Sequence, residues 1–293
     1  AHMIDHFVGT TALVDGNYRQ ALSDYDAKLT EGSNILQKKV RVADIYVNKA
    51  VAYSKLGLFH YSLKFLNLAL GLKQDNIGSQ SYAVGAILNN IGSVYADRAP
   101  DDSSRSTADR KIALEFYTKA LNLFLRKPSS RRAQPTTGND ALMMMRNLTI
   151  ANTYHNMAIV HQELGQYHEA EYHFHRSWYL QNTTKGVGMY SHLQAETHYY
   201  LGALYDEQQL WDKGLAAYVS ASKVDLSVAG IGTELLEPVM FGLTLFRRNQ
   251  GRVHLTVDSL ISTLNQKLYH LGWNHMSTSI TYMLMGGAYE ETA

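Results

Sequence analysis

Residues 156–178 read NMAIVHQELGQYHEAEYHFHRSW, and the order of side-chain sizes in them decides the fold. Met157 and Ala158 are followed by His161, then Gly165, then Ala170, Phe174 and Ser177. Ala158 and Ala170 are twelve apart, Phe174 comes four later, and Ser177 three after that. Steps of three and four keep side chains on one helix face. Gly165 falls between two such stretches, where a chain turns back. Small residues let two helix axes approach, and large ones fill the gaps between them.

The same order recurs along the chain. Leu201, Gly202 and Tyr205 lead to Gly214, Tyr218 and Ala221. Val8, Gly9 and Ala12 lead through Gly16 to Ala21 and Tyr25. Lys49, Ala50 and Tyr53 lead through Gly57 to Ser62, Leu66 and Ala69. Ile91, Gly92 and Tyr95 lead to Ala113, Tyr117 and Ala120, with nine extra residues between the halves. The surplus falls within residues 98–107, a polar, turn-rich stretch that predicts an insertion between helices. A sixth copy, Phe241, Gly242 and Leu245 with Thr256, Leu260 and Thr263, slips by two residues. A seventh begins at Tyr282, Met285, Gly286 and Tyr289. Internal repetition of this kind marks a solenoid.

The pattern resembles the tetratricopeptide repeat (TPR) family, whose helix-pair motif has an aromatic, Leu-Gly, Tyr, then Ala, Phe and Ala at these spacings. The resemblance implies an all-α fold, a TPR-like superhelical solenoid of antiparallel helix pairs. It covers residues 4–293 as a single solenoid of about six helix pairs plus a final unpaired helix. Ala1-His2-Met3 reads as a tag or cloning scar. First helices recur about every 40 to 44 residues, against the family's usual 34 or so, and the third copy is longer still. Such long repeats are similar to those of kinesin light chains and Pins-type adaptors.

Composition narrows the function. There are 27 Lys plus Arg against 26 Asp plus Glu, a balance that argues against a nucleic-acid partner. The absence of Cys removes disulfide scaffolds, thiol catalysis and Cys-ligated metals. No apolar run reaches the roughly 18 residues of a membrane span. With no hydrophobic leader, a cytoplasmic location is expected, without membrane contact. No phosphate-binding Gly loop follows a strand, and no Gly-x-Ser-x-Gly elbow occurs. A non-enzyme without a cofactor is the expectation.

In TPR proteins the first helix of each pair lines a concave groove. Two residues before each Gly/Ala marker, the groove side would carry Phe7, Asn48, Asn90, Asn156, Tyr200 and Met240. Asn offers a donor and an acceptor from one neutral amide, which suits a peptide backbone. TPR proteins that bind extended peptides often use groove Asn in this way. The expected peptide-binding residues are therefore Asn48, Asn90, Asn156 and Tyr200, with Asn89, Asp97, Glu163 and Asp206 secondary. The alternative is that these Asn side chains only satisfy neighbouring helix groups. Further along the same faces lie Lys55, Asp97, Gln162, Glu163, Asp206 and Glu207, a mostly acidic set that favours basic or neutral ligands. The basic positions of the family's carboxylate clamp hold Asp44, Ala86, Asn152 and Glu196 instead.

The partner implied is another protein, bound through an extended segment in an adaptor's groove. One alternative is an architectural subunit of a cytoskeletal, ciliary or ubiquitin-ligase assembly, held by its ends or convex face. Another is a peptide-pheromone-sensing regulator. The last helix, with Tyr282, Met285 and Tyr289, lacks a partner helix in the chain and invites self-association or a continuing repeat.

Other features have plainer readings. His168, His173 and His175 are expected to be solvated on a second helix rather than to bind metal. The run Leu142, Met143, Met144 and Met145 is expected mainly to fill core gaps, with part of it exposed. Residues 126–139, with their Pro and Gly, are expected to form a long break, and Asn182 to Gly188 a shorter one. The basic stretch Arg126 to Arg132, with Ser129 and Ser130, is expected to be flexible.

Overall fold

A computed structural model of the chain describes residues 16–30, 35–98, 104–126, 139–184 and 191–222, and positions 261 and 265. Among the described residues there are nine helices and no strands. They are α1 (Tyr18–Thr30), α2 (Ile35–Lys55), α3 (Phe59–Ile77), α4 (Tyr82–Arg98), α5 (Ser104–Phe124), α6 (Asn139–Glu163), α7 (Tyr167–Thr183), α8 (Ser191–Glu207) and α9 (Trp211–Ser222). None contains Pro, which would break a helix interior. The chain falls into two compact units, Ala1–Thr136 and Thr137–Ala293. The first helix of the first copy, the sixth and seventh copies, and residues 127–138 lie outside the described residues.

In each unit, consecutive helices pack as pairs. In the first unit the pairs are α2 with α3 and α4 with α5, and α1 lies against α2. In the second they are α6 with α7 and α8 with α9. The first helices of successive pairs also touch, α2 with α4 and α6 with α8. Second helices bury the stripe expected of them, Ser62, Leu66 and Ala69 in α3 and Ala170, Phe174 and Ser177 in α7, and extend it one turn further with Lys73 and Gln181. Two serines in these stripes are tied across the pair. Ser62 Oγ donates to the Ala50 carbonyl and Ser177 Oγ to that of Ala151, each at 2.7 Å.

The glycine markers are there for closeness. A Cβ on Gly92 would lie 2.8 Å from the Tyr117 ring, and one on Gly202 only 2.5 Å from that of Tyr218. Gly71 of α3, by contrast, would have nothing within 4 Å of an added Cβ. Gly71→Ala is therefore expected to stabilise the protein by about 1 kcal/mol, the ordinary helix-propensity gain. In Gly202→Ala the overpacking cost of about 1–3 kcal/mol outweighs that gain. Urea unfolding of the two variants should move the midpoint in opposite directions.

The turns within pairs repeat one geometry. Leu58 N donates to the Tyr53 carbonyl at 2.8 Å and Gly57 N to that of Ser54 at 2.9 Å. Gln166 and Gly165 repeat this onto His161 and Gln162, and Leu210 and Gln209 onto Tyr205 and Asp206. This double bond pattern closes a helix with a left-handed residue. Gly57 and Gly165 supply it with φ of 72° and 70°. Gln209 occupies the same place at φ 59°. Replacing Gln209 by Gly should relieve backbone strain and stabilise the second unit by about 0.5–1 kcal/mol in a thermal melt.

The structure corrects several expectations. Residues 104–107, expected in an insertion, are the first turn of α5. Arg98, at the end of α4, holds that turn through Asp109, while Ser106 is buried. Asn182 and Thr183 belong to α7, whose end is tied by Thr183 and Thr184 hydroxyls donating to the carbonyls of Tyr179 and Leu180. Met143 and Met145 are 65% and 60% exposed, so they do not fill the core; Met144 is partly buried.

Candidate functional site

In the first unit, Asn48 on α2 and Asn90 on α4 are both partly buried. Their side-chain amides make no hydrogen bond among the described residues. Asn89 is different. It is 8% exposed, and its Oδ1 lies against protein with no donor among the described residues. Neighbouring helix positions are about 100° apart in rotation, so Asn90 takes the open face and Asn89 the interior. Asn89 is thus not available as a groove contact. Asp97 is exposed at the end of α4 and accepts from Ser54 Oγ of α2 at 3.4 Å.

In the second unit, Asn156 on α6 and Tyr200 on α8 are partly buried, and the Asn156 amide also makes no hydrogen bond among the described residues. Tyr200 stands edge-on to His155 at 5.3 Å and stacks on Phe174 at 6.1 Å between centroids. Burial first, then Glu196, Tyr199 and Glu163, push its hydroxyl above the usual tyrosine range. It therefore stays protonated at neutral pH and remains a donor.

A pocket of about 570 Å³ opens between α6, the start of α7 and α8. Ile159, Gln162 and Glu163 come from α6, Tyr167 from α7, and Tyr200 and Glu207 from α8. Gln162 Nε2 donates to Glu207 Oε1 at 2.7 Å across the first helices. The structure thus gathers Tyr200 and Glu163 of the expected set into one cavity. Asp206 is drawn elsewhere. Its Oδ2 accepts from Tyr218 of α9 at 2.8 Å, inside its own helix pair. Of the two adjacent acids, Glu207 lines the pocket, and Asp206 is not among its described lining residues. Tyr167 was not among the expected residues, because it follows the turn on a second helix and falls outside the first-helix register.

The histidines divide. His168 and His175 are exposed, as expected. His173 is partly buried. It stacks on Tyr154 at 5.6 Å and on His161 at 5.1 Å. Burial first, then the charge of His161, pull it down to about 4 against a smaller opposing effect of Glu169. Glu171 accepts from Tyr205 at 2.7 Å and lies 3.4 Å from Lys213 Nζ and 3.9 Å from His175 Nε2. These groups tie α7 to α8 and α9. Among the described residues no group of three His, Asp or Glu is placed to hold a metal ion. No described helix is long and apolar enough to cross a membrane.

No protein-family model matches the chain. No curated protein matches it in sequence. Solved structures do match. BtubC (BKLC) from P. vanneervenii is similar with a TM-score of 0.62 and 13% identity, over 92% of this chain and 94% of that one. A Rap protein complexed with competence and sporulation factor is similar at 0.59 and 15%, over 98% and 74%. Acl4, an assembly chaperone of RpL4, is similar at 0.58 and 9%, over 97% and 94%. At such identities the shared property is the fold: the chain is a TPR-like helical repeat protein.

Proposed function

We propose that this is a non-catalytic protein-interaction module that holds an extended segment of a partner against its first-helix faces. The observation that carries the reading is the state of Asn48, Asn90 and Asn156. They recur in register, are only partly buried, and keep their amides unspent on the chain's own groups among the described residues. The alternative role of satisfying neighbouring helix groups therefore lacks support. An Asn amide can accept from and donate to a passing backbone without regard to its side chains. Repeat register, rather than any contact between the two units, extends the reading across both. The Rap protein complexed with competence and sporulation factor is a precedent for a ligand on this fold.

A second reading, an architectural subunit contacted through its convex face, draws on α3. Leu58, Tyr61 and Leu68, at its start and along it, are 44%, 49% and 45% exposed and follow one helical stripe.

Panning a display library of random dodecapeptides separates the two readings. Wild-type protein is expected to enrich a family of peptides that Asn48→Ala, Asn90→Ala, Asn156→Ala protein of unchanged helicity does not retain. Equal retention by both proteins would remove the groove from consideration and favour the α3 face.

A further inference from the structure

The pocket at the end of α6 gives the groove a chemical preference. We propose that it receives the cationic side chain of a Lys or Arg in the bound segment, seated on tyrosine rings and countered by Glu207. This rests on the groove reading, because the segment delivers the side chain.

The pocket's volume of about 570 Å³ accommodates a long side chain with room to spare. Tyr167, Tyr199 and Tyr200 supply aromatic walls, and among the described residues no Lys, Arg or His lines it. A cation over a tyrosine ring is attracted to the negative face of the π-system. Glu207 is bonded to Gln162, a neutral amide, so that hydrogen bond leaves the carboxylate's charge in place. The Tyr200 hydroxyl, held protonated, adds a neutral polar group at the wall. An apolar side chain would strip water from Glu207 and Gln162 without replacing their hydrogen bonds. An acidic one would meet like charge from Glu163 and Glu207.

The same unit already shows such an arrangement with a lysine of its own. Lys213 Nζ sits 5.1 Å from the Tyr205 ring centroid and 3.4 Å from Glu171 Oε1. A tyrosine ring with a neighbouring glutamate thus holds an ammonium group within this fold. The pocket offers both parts again, with no cation among its described lining residues.

The test uses the same dodecapeptide panning. Peptides retained by the wild type should carry Lys or Arg at one fixed position of their alignment. Glu207→Gln protein should lose that preference while still retaining peptides. For one synthetic peptide from the family, replacing the basic residue by norleucine should weaken binding to wild type about fivefold, and by clearly less to Glu207→Gln, where the tyrosine rings and Glu163 remain but the countering carboxylate is gone. The wild-type affinity should fall with added salt, and the norleucine peptide's should not.

A retained family without a fixed basic position overturns the pocket assignment and leaves the groove reading standing. So does a norleucine effect of equal size in both proteins. A family with a basic position that survives the triple Asn substitution overturns the groove reading instead. A library that returns nothing above the blank overturns both.

Discussion

Acidification from pH 6.5 to 4 is expected to remove about 3 kcal/mol of folding stability through His155 alone. The side chain is 2% exposed, and burial pulls its imidazole down to about 4 from an ordinary 6.5. Each unit of such a difference is about 1.4 kcal/mol. The folded state keeps the ring neutral, while the unfolded chain takes up a proton below 6.5. The stabilisation is therefore complete above pH 6.5 and is lost as the pH falls towards 4. His173 adds to the same slope over the same window, by less, because it is only partly buried. A loss of this size is a large fraction of the 5–15 kcal/mol or so that holds an ordinary domain together. Urea unfolding at half-unit pH steps reads it directly. His155→Phe keeps a ring beside Phe174 and Tyr200 but cannot titrate, so its curve should be much flatter between pH 6.5 and 4. A variant curve as steep as the wild type's would assign the acid sensitivity elsewhere.

The second large effect is expected at the α4–α5 junction. Asp109 has 5% of its side chain exposed and takes two hydrogen bonds from Arg98, at 2.9 and 2.5 Å. That bond to Asp109 is the leading cause holding the guanidinium above its ordinary range, against the cost of burial. Arg98→Met leaves a buried carboxylate without its cation, and about 3 kcal/mol of stability should go with it. Arg98→Met with Asp109→Asn removes the stranded charge and should recover much of the loss. If the double variant is no more stable than Arg98→Met, the loss comes from the guanidinium over the Tyr95 ring, whose centroid lies 4.7 Å from Arg98 Cζ.

The helix pairs were legible because their signal is local and steric. Gly92 opposite Tyr117, and Gly202 opposite Tyr218, are size matches that any reading of spacing finds. The turn glycines were legible for the same reason, although Gln209 shows that their place can be taken at a cost. The site was legible only to within one residue. Asn89 against Asn90, and Asp206 against Glu207, are neighbours that a small rotation of the helix exchanges, and that rotation is set by packing against the next helix. The pocket needed Tyr167 from a second helix, which a register of first helices omits. Met143 and Met145 were misplaced because apolar character does not distinguish a core from an open helix end. Polar residues inside were the least legible. Thr197 and Gln181 have the composition of a surface and are fully buried.

Those buried polar groups bear on mechanical behaviour. In the second unit, His155 Nδ1 and Gln181 Nε2 each lie 3.1 Å from Thr197 Oγ1, and Gln181 Nε2 also reaches Ser177 Oγ at 2.9 Å. The network crosses from one helix pair to the next. Directional bonds of this kind resist sliding, since a displacement of an ångström or so breaks them. Apolar layers also lie between the pairs, with Ala50, Leu66, Ile87, Ile91 and Val94 in the first unit and Ala158, Phe174, Leu201 and Leu204 in the second. Apolar contact has no preferred direction and tolerates small slips. The second unit is thus expected to hold the angle between its pairs more tightly than apolar contact alone would.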